Sequence, residues 1–130
     1  MNSLYNPANL KILVIDDDDV IRLTMQSILK KRGFQVIIAE NGNIGLDLFK
    51  KENPQIVITD MLMPNKEGLE TITEIRALKT GAKIIAMSGG GSTQNMTFLQ
   101  LAEKVGADLL LSKPVKPDQL IAAIEKLLGN

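Results

Sequence analysis

The 130-residue chain contains no cysteine, no histidine and no tryptophan. Without cysteine there is neither a disulfide framework nor a thiolate metal site. Without histidine the chain lacks the usual general base near neutral pH, the commonest metal ligand, and any histidine of its own to carry a phosphoryl group. Aromatics are scarce, three Phe and one Tyr, so a hydrophobic content of 45% must build its core from aliphatic side chains. Fifteen basic residues cancel fifteen acidic ones, which leaves no electrostatic footprint for nucleic acid. The basic clusters Lys30-Lys31-Arg32 and Lys50-Lys51 fall where helices should end, and there they complement the helix dipole. No apolar run approaches membrane-spanning length, and residues 1–9 are polar with no apolar leader core. The expectation is a single cytoplasmic domain that binds neither membrane nor nucleic acid.

What the chain does contain is an alternation of short aliphatic runs with helical periods. Leu10–Ile15, Phe34–Ala39, Gln55–Asp60, Lys83–Met87 and Asp108–Leu111 read as strands, the first nearly continuous in its apolar character and hence buried on both faces. Helices are expected over Val20–Lys31, Asn43–Lys51, Leu69–Lys79 and Gln94–Val105. A last one is opened by Pro117, which suits a first helical turn. Gly33 stops the first helix, and Asn53-Pro54 ends the second. The third should turn Ile72, Ile75 and Leu78 inward. Five such units in a row predict an α/β fold, a parallel sheet with helices on both faces.

In sheets of this kind, ligands bind beyond the carboxyl ends of the strands. The residues found there are Asp16-Asp17, Asp60, Ser88 and Lys113. "ILVIDDDDVI" puts four consecutive carboxylates after one aliphatic run. Helix capping explains one or two of them, so the rest need a partner elsewhere. If the first and third strands are neighbours, Asp16, Asp17 and Asp60 converge, and two like charges about 4 Å apart repel by roughly 4 kcal/mol at an effective dielectric of 20. An oxygen-only site without His or Cys suits a hard divalent ion, and Mg²⁺ fits best because it takes one or two carboxylates and shares a phosphate. A carboxylate beside Mg²⁺, a lysine and a hydroxyl donor is a phosphoryl-transfer site. Ser88 and the Gly89 N–H can each donate to a phosphoryl oxygen.

The segments "VIDDDDVIR", "ITDMLMPNKEG", "IAMSGGG" and "LLLSKPV" resemble, in order and placement, the signature segments of two-component response regulator receiver domains of the CheY-like kind. The resemblance spans about residues 10–128. It implies a (βα)5 flavodoxin-like three-layer sandwich of strand order 2-1-3-4-5, with residues 1–9 as an N-terminal extension and 10–130 as a stand-alone receiver. By the same resemblance Asp60 is the phosphoacceptor, Asp16 and Asp17 hold Mg²⁺ with Asp17 the closer ligand, and the backbone carbonyl of Leu62 is a further ligand. Ser88 contacts the phosphoryl group, Lys113 is the partner lysine, and the bond before Pro114 is commonly cis. Asp18 is then left to cap the first helix, with Asp19 in its first turn. The implied partners are a sensor histidine kinase or histidine phosphotransfer protein as donor, and an unidentified downstream protein as target. Such a domain is not an enzyme in the ordinary sense, although it assists its own phosphorylation and dephosphorylation.

Two other readings use the same residues. "DDDDV" also fits the DxDx[TV] pattern of haloacid-dehalogenase-type phosphatases, with Asp16 as nucleophile and Asp18 as acid/base. That reading leaves "ITDMLMP" unexplained, and after Lys113 it finds only Asp118 and Glu125 on the expected last helix for its metal motif. A pseudo-receiver that binds partners without phosphorylation would not need every acid, hydroxyl and lysine position filled. The sequence departs from the receiver pattern at Leu110, where Tyr or Phe is usual. Switching is therefore expected to rest mainly on rearrangement of Gly89–Thr93 and the start of the fourth helix, with weaker side-chain coupling through Leu110.

Overall fold

The computed structural model describes residues 6–61, 68–89 and 106–129. The expected helix over 94–105, the switching segment beyond Gly89 and the Leu62 carbonyl lie outside these residues.

Five strands form one parallel sheet in the order β2-β1-β3-β4-β5. They are β1 (Lys11–Ile15), β2 (Gln35–Ala39), β3 (Ile56–Asp60), β4 (Lys83–Ser88) and β5 (Leu109–Ser112). The described helices are α1 (Asp19–Lys31), α2 (Gly42–Glu52), α3 (Gly68–Ala77) and α4 (Pro117–Leu127), and a 3-10 turn (Pro7–Asn9) precedes β1. This is the flavodoxin-like order expected. The three central strands are buried almost throughout, whereas β2 and β5 at the edges are only half-buried.

Burial on both faces explains why the central strands read as unbroken aliphatic runs. Side chains alternate between two cores. Leu13, Ile15, Val57, Ile84 and Ala86 face α2 and α3, with Phe49, Ile72 and Ile75. Ile12, Val14, Ile56, Ile58, Ile85 and Met87 face α1 and α4, with Met25, Leu29, Leu120 and Ile124.

The local signals act as anticipated at several ends. Asp18 caps α1, its carboxylate accepting from the N–H groups of Val20 (2.9 Å) and Ile21 (3.1 Å). Gly33 follows α1 at φ +94°, and Asn53 closes α2 in the left-handed region at φ 51°. Pro117 opens α4, and the side chain of Gln119 accepts from Lys116 N–H at 3.1 Å. The bond between Lys113 and Pro114 is cis.

Several helix limits differ from expectation by one or two residues, and two of the shifts have a visible cause. The second helix starts at Gly42 because Asn41, one residue earlier, supplies the cap by accepting from Ile44 N–H at 2.8 Å. The third ends at Ala77, and Lys79 is left-handed at φ 53°. Leu78 therefore lies beyond the helix and is 42% exposed instead of turned inward.

Candidate functional site

Each candidate side chain leaves the sheet at the same end, because parallel strands deliver their carboxyl termini to one edge. The β1–β3 ladder pairs Ile15 with Thr59, so Asp16 and Asp60 emerge side by side. Asp16 and Asp60 are buried, at 0% and 6% exposure, while Asp17 is exposed. Asp16, Asp17 and Asp60 can each present one carboxylate oxygen, and these oxygens lie within 4.8 Å of one another. That is close enough for one small cation to be shared.

Lys113 follows β5 and reaches back across β4. Its Nζ is 2.9 Å from Asp16 Oδ2 and 3.1 Å from Asp60 Oδ2. Burial opposes the charge on this ammonium, but hydrogen bonding and Coulomb attraction from Asp16 and Asp60 outweigh it and raise its pKa above the ordinary lysine value. The lysine backbone is fixed as well, its N–H donating to Ser88 O at 2.8 Å. Ser88 ends β4, is 2% exposed, and follows Met87, the ladder partner of Asp60. The structure thus brings Asp16, Asp17, Asp60 and Lys113 together and sets Ser88 one residue beyond the neighbouring strand position.

The donor set is oxygen alone, so it fits a hard divalent ion of the Mg²⁺ kind and offers nothing to a soft one. One ammonium against three carboxyl groups leaves room for further positive charge. Met61 does not add a sulfur ligand, because it is 1% exposed and packs in the core between β3 and α2/α3.

Three residues that pattern reading passed over shape this edge. Gly68 starts α3, and a Cβ built there would be 2.2 Å from the Asp60 carbonyl oxygen and 2.7 Å from Met61 Cα. A side chain at position 68 would push α3 off the main chain that carries Asp60. Gly45 lets α2 approach β1, since its Cβ would be 2.4 Å from Ile15 Cδ1. Gly45 lies inside a helix, where Gly costs about 1 kcal/mol relative to Ala, and that cost was the available signal; Gly68, at the start of α3, gave none. Arg22 donates through Nη1 to the Asp16 carbonyl at 2.7 Å and through Nη2 to Asp19. Its long reach back from α1 to β1 leaves no periodic trace in the sequence.

Comparison with known proteins places these residues in context. Residues 12–125 match the family described as response regulator receiver domain. The chain is 31% identical over 120 residues to sporulation initiation phosphotransferase F of Bacillus subtilis, covering 92% of this chain and 94% of that protein. It is 34% identical over 120 residues to chemotaxis protein CheY of the same bacterium, covering 92% and 98%. A CheY-like receiver domain from Methanospirillum hungatei superposes with a TM-score of 0.83 at 31% identity, covering 92% of this chain and 93% of that one. A receiver domain from Clostridium thermocellum gives 0.82 at 34%, covering 92% and 94%.

Proposed function

The chain belongs to the response regulator receiver domain family of two-component signalling, and we propose that it is a phosphorylation-controlled switch whose phosphoacceptor is Asp60. The observation that carries the assignment is Lys113 bridging two buried carboxylates from different strands, Asp16 at 2.9 Å and Asp60 at 3.1 Å.

In the proposed reaction an Asp60 carboxylate oxygen attacks phosphorus. The new O–P bond forms as the bond to the donor's leaving group breaks, and that group keeps the electron pair. Lys113 offers its ammonium to the phosphoryl oxygens, and Ser88 offers a hydroxyl donor. Asp16 and Asp17, with Asp60, would hold Mg²⁺, with Leu62 adding its backbone carbonyl. When bound, that ion neutralises charge on the phosphoryl oxygens. Asp16, completely buried, keeps Lys113 over the pocket and so holds the cation donor in line. Receiver domains take their phosphoryl group from histidine kinases or phosphotransfer proteins. We assign this chain such a donor, a protein target for its output, and a cytoplasmic location. Among the described residues no helix is long and apolar enough to cross a membrane.

The phosphatase alternative fits less well. Asp16 is fully buried, with Oδ1 accepting from Asp18 N–H at 2.9 Å and Oδ2 held by Lys113, which is a poor position for a nucleophile. The Asp18 carboxylate is engaged in capping α1, which removes it from acid/base work.

Incubation with acetyl phosphate and Mg²⁺, followed by intact mass and borohydride trapping, tests the assignment. One phosphoryl group on Asp60 is expected. A label on Asp16, or continuous turnover of phosphate esters, would overturn it.

A further inference from the structure

The acidic pair at the end of β1 is held from behind by a residue outside the pocket. Arg22, one turn into α1, has a side chain only 11% exposed. Its Nη1 donates to the carbonyl oxygen of Asp16 at 2.7 Å, and its Nη2 pairs with Asp19 in the first turn of the same helix. The Asp16 carbonyl belongs to the peptide group that joins Asp16 to Asp17. A donor fixed on that oxygen fixes the plane of the peptide, and with it the direction in which Asp17 leaves the chain.

The rest of Asp16 is already tied. Its N–H donates to Ala39 O at 3.1 Å, Oδ1 accepts from Asp18 N–H at 2.9 Å, and Oδ2 meets Lys113 at 2.9 Å. Among the described residues none gives the Asp17 carboxylate this support, and it is exposed at the rim of the cluster. Its aim depends on the two residues that flank it. Asp18 is anchored to the start of α1, and Arg22 anchors the peptide on the other side. The guanidinium suits this task because it is planar and presents two donors in a fixed fork, one for the carbonyl and one for the Asp19 strut.

We infer that Arg22 is a positioning residue for the cation pocket, which orients Asp17 through the Asp16–Asp17 peptide. This rests on the reading of Asp16, Asp17 and Asp60 as a Mg²⁺ site. The charge of Arg22 gives the inference a sign that can be checked. A positive group near a cation site opposes cation binding through space, so an electrostatic role alone predicts tighter Mg²⁺ binding once it is neutralised. A positioning role predicts the reverse, because an outer residue that orients a ligand typically contributes a factor of about ten or more in metal affinity.

Mg²⁺ titration of the unphosphorylated protein, followed by amide NMR shifts over Asp16–Ile21, distinguishes the two. Arg22→Gln should weaken binding about tenfold and move the Asp17 amide resonance even without Mg²⁺. Arg22→Lys keeps the charge and the helix propensity but loses the fork, and it should weaken binding by a smaller factor. This second variant carries the test if Arg22→Gln does not fold. Unchanged or tighter binding in either folded variant, with wild-type binding that depends on Asp17, would overturn the role of Arg22 and leave the Mg²⁺ site standing. Wild-type protein that shows no saturable binding, or binding indifferent to Asp17→Asn, would remove the site itself and the inference with it.

Discussion

The two ends of the sheet treat charge differently. Among the described residues, the ion pairs at the amino end, where strands begin and helices finish, are matched one to one and partly exposed. Lys11 meets Glu52 at 2.9 Å, tying the start of β1 to the end of α2. Arg76, near the end of α3, meets Asp108 at 2.5 Å and also donates to the carbonyls of Ala82 and Gly106, each at 2.7 Å. Asp108 in turn accepts from Ile84 N–H at 2.7 Å. These charges fasten loops. At the carboxyl end two buried carboxyl groups, of Asp16 and Asp60, share the ammonium of Lys113, and the exposed Asp17 adds a third to the same cluster. An arrangement selected only for stability would not bury an unequal count. The imbalance sets the carboxyl end apart from the amino end.

Breaking the lysine bridge should have the largest effect. Lys113→Ala leaves Asp16 and Asp60 facing each other in a buried setting, and removing one partner of such a pair costs about 3 kcal/mol. Urea denaturation at low salt without divalent ions measures it. A loss well under about 1 kcal/mol would show that this end is solvated like the other. Arg76→Ala tests the matched end. It strips donors from two backbone carbonyls and Asp108, and should lower stability by about 2 kcal/mol in the same assay.

Asp17→Asn sharpens the contrast through its sign. Removing one surplus carboxylate from the carboxyl end should raise the thermal midpoint without divalent ions, by less than either loss above. Added Mg²⁺ should stabilise wild type and leave this variant nearly unmoved. Asp108→Asn at the matched end should lower the midpoint under every condition.

The smallest effect is a pH dependence. The side-chain hydrogen bond from Lys11, helped by its charge, holds the Glu52 pKa below its ordinary value of 4.5. A carboxylate with a depressed folded pKa contributes stability above the unfolded value, and that contribution is lost as pH falls through the folded one. Stability of wild type and Lys11→Met should therefore differ at pH 6 and converge below about pH 4.5. A gap that stays constant through that window would assign the role of Lys11 to packing.

Much of this architecture could be read from residue order. Strands buried on both faces are written as plain aliphatic runs, and polar residues placed directly after them announce the working edge. Asp16, Asp60 and Lys113 were visible for that reason. Leu78 misled because its helical period continues past Ala77, whereas the backbone turns left-handed at Lys79. Arg22 and Gly68 stayed hidden because each meets a backbone carbonyl, of Asp16 and Asp60 respectively. A carbonyl carries no residue identity for a pattern to register.

The strand order has a consequence for how the chain is made. Every neighbouring pair is parallel, and the central pairing joins residues as far apart as Ile12 and Ile56. Contacts so distant in the chain close slowly, because loop entropy is lost before any pairing repays it. During synthesis the three carboxylates leave the ribosome well before Lys113, which arrives with the last strand. A nascent chain holding only β1 to β4 has the repulsion without its counterion. The counterion that Asp16 and Asp60 share in the folded chain is therefore supplied by the residue that follows the last strand of the sheet.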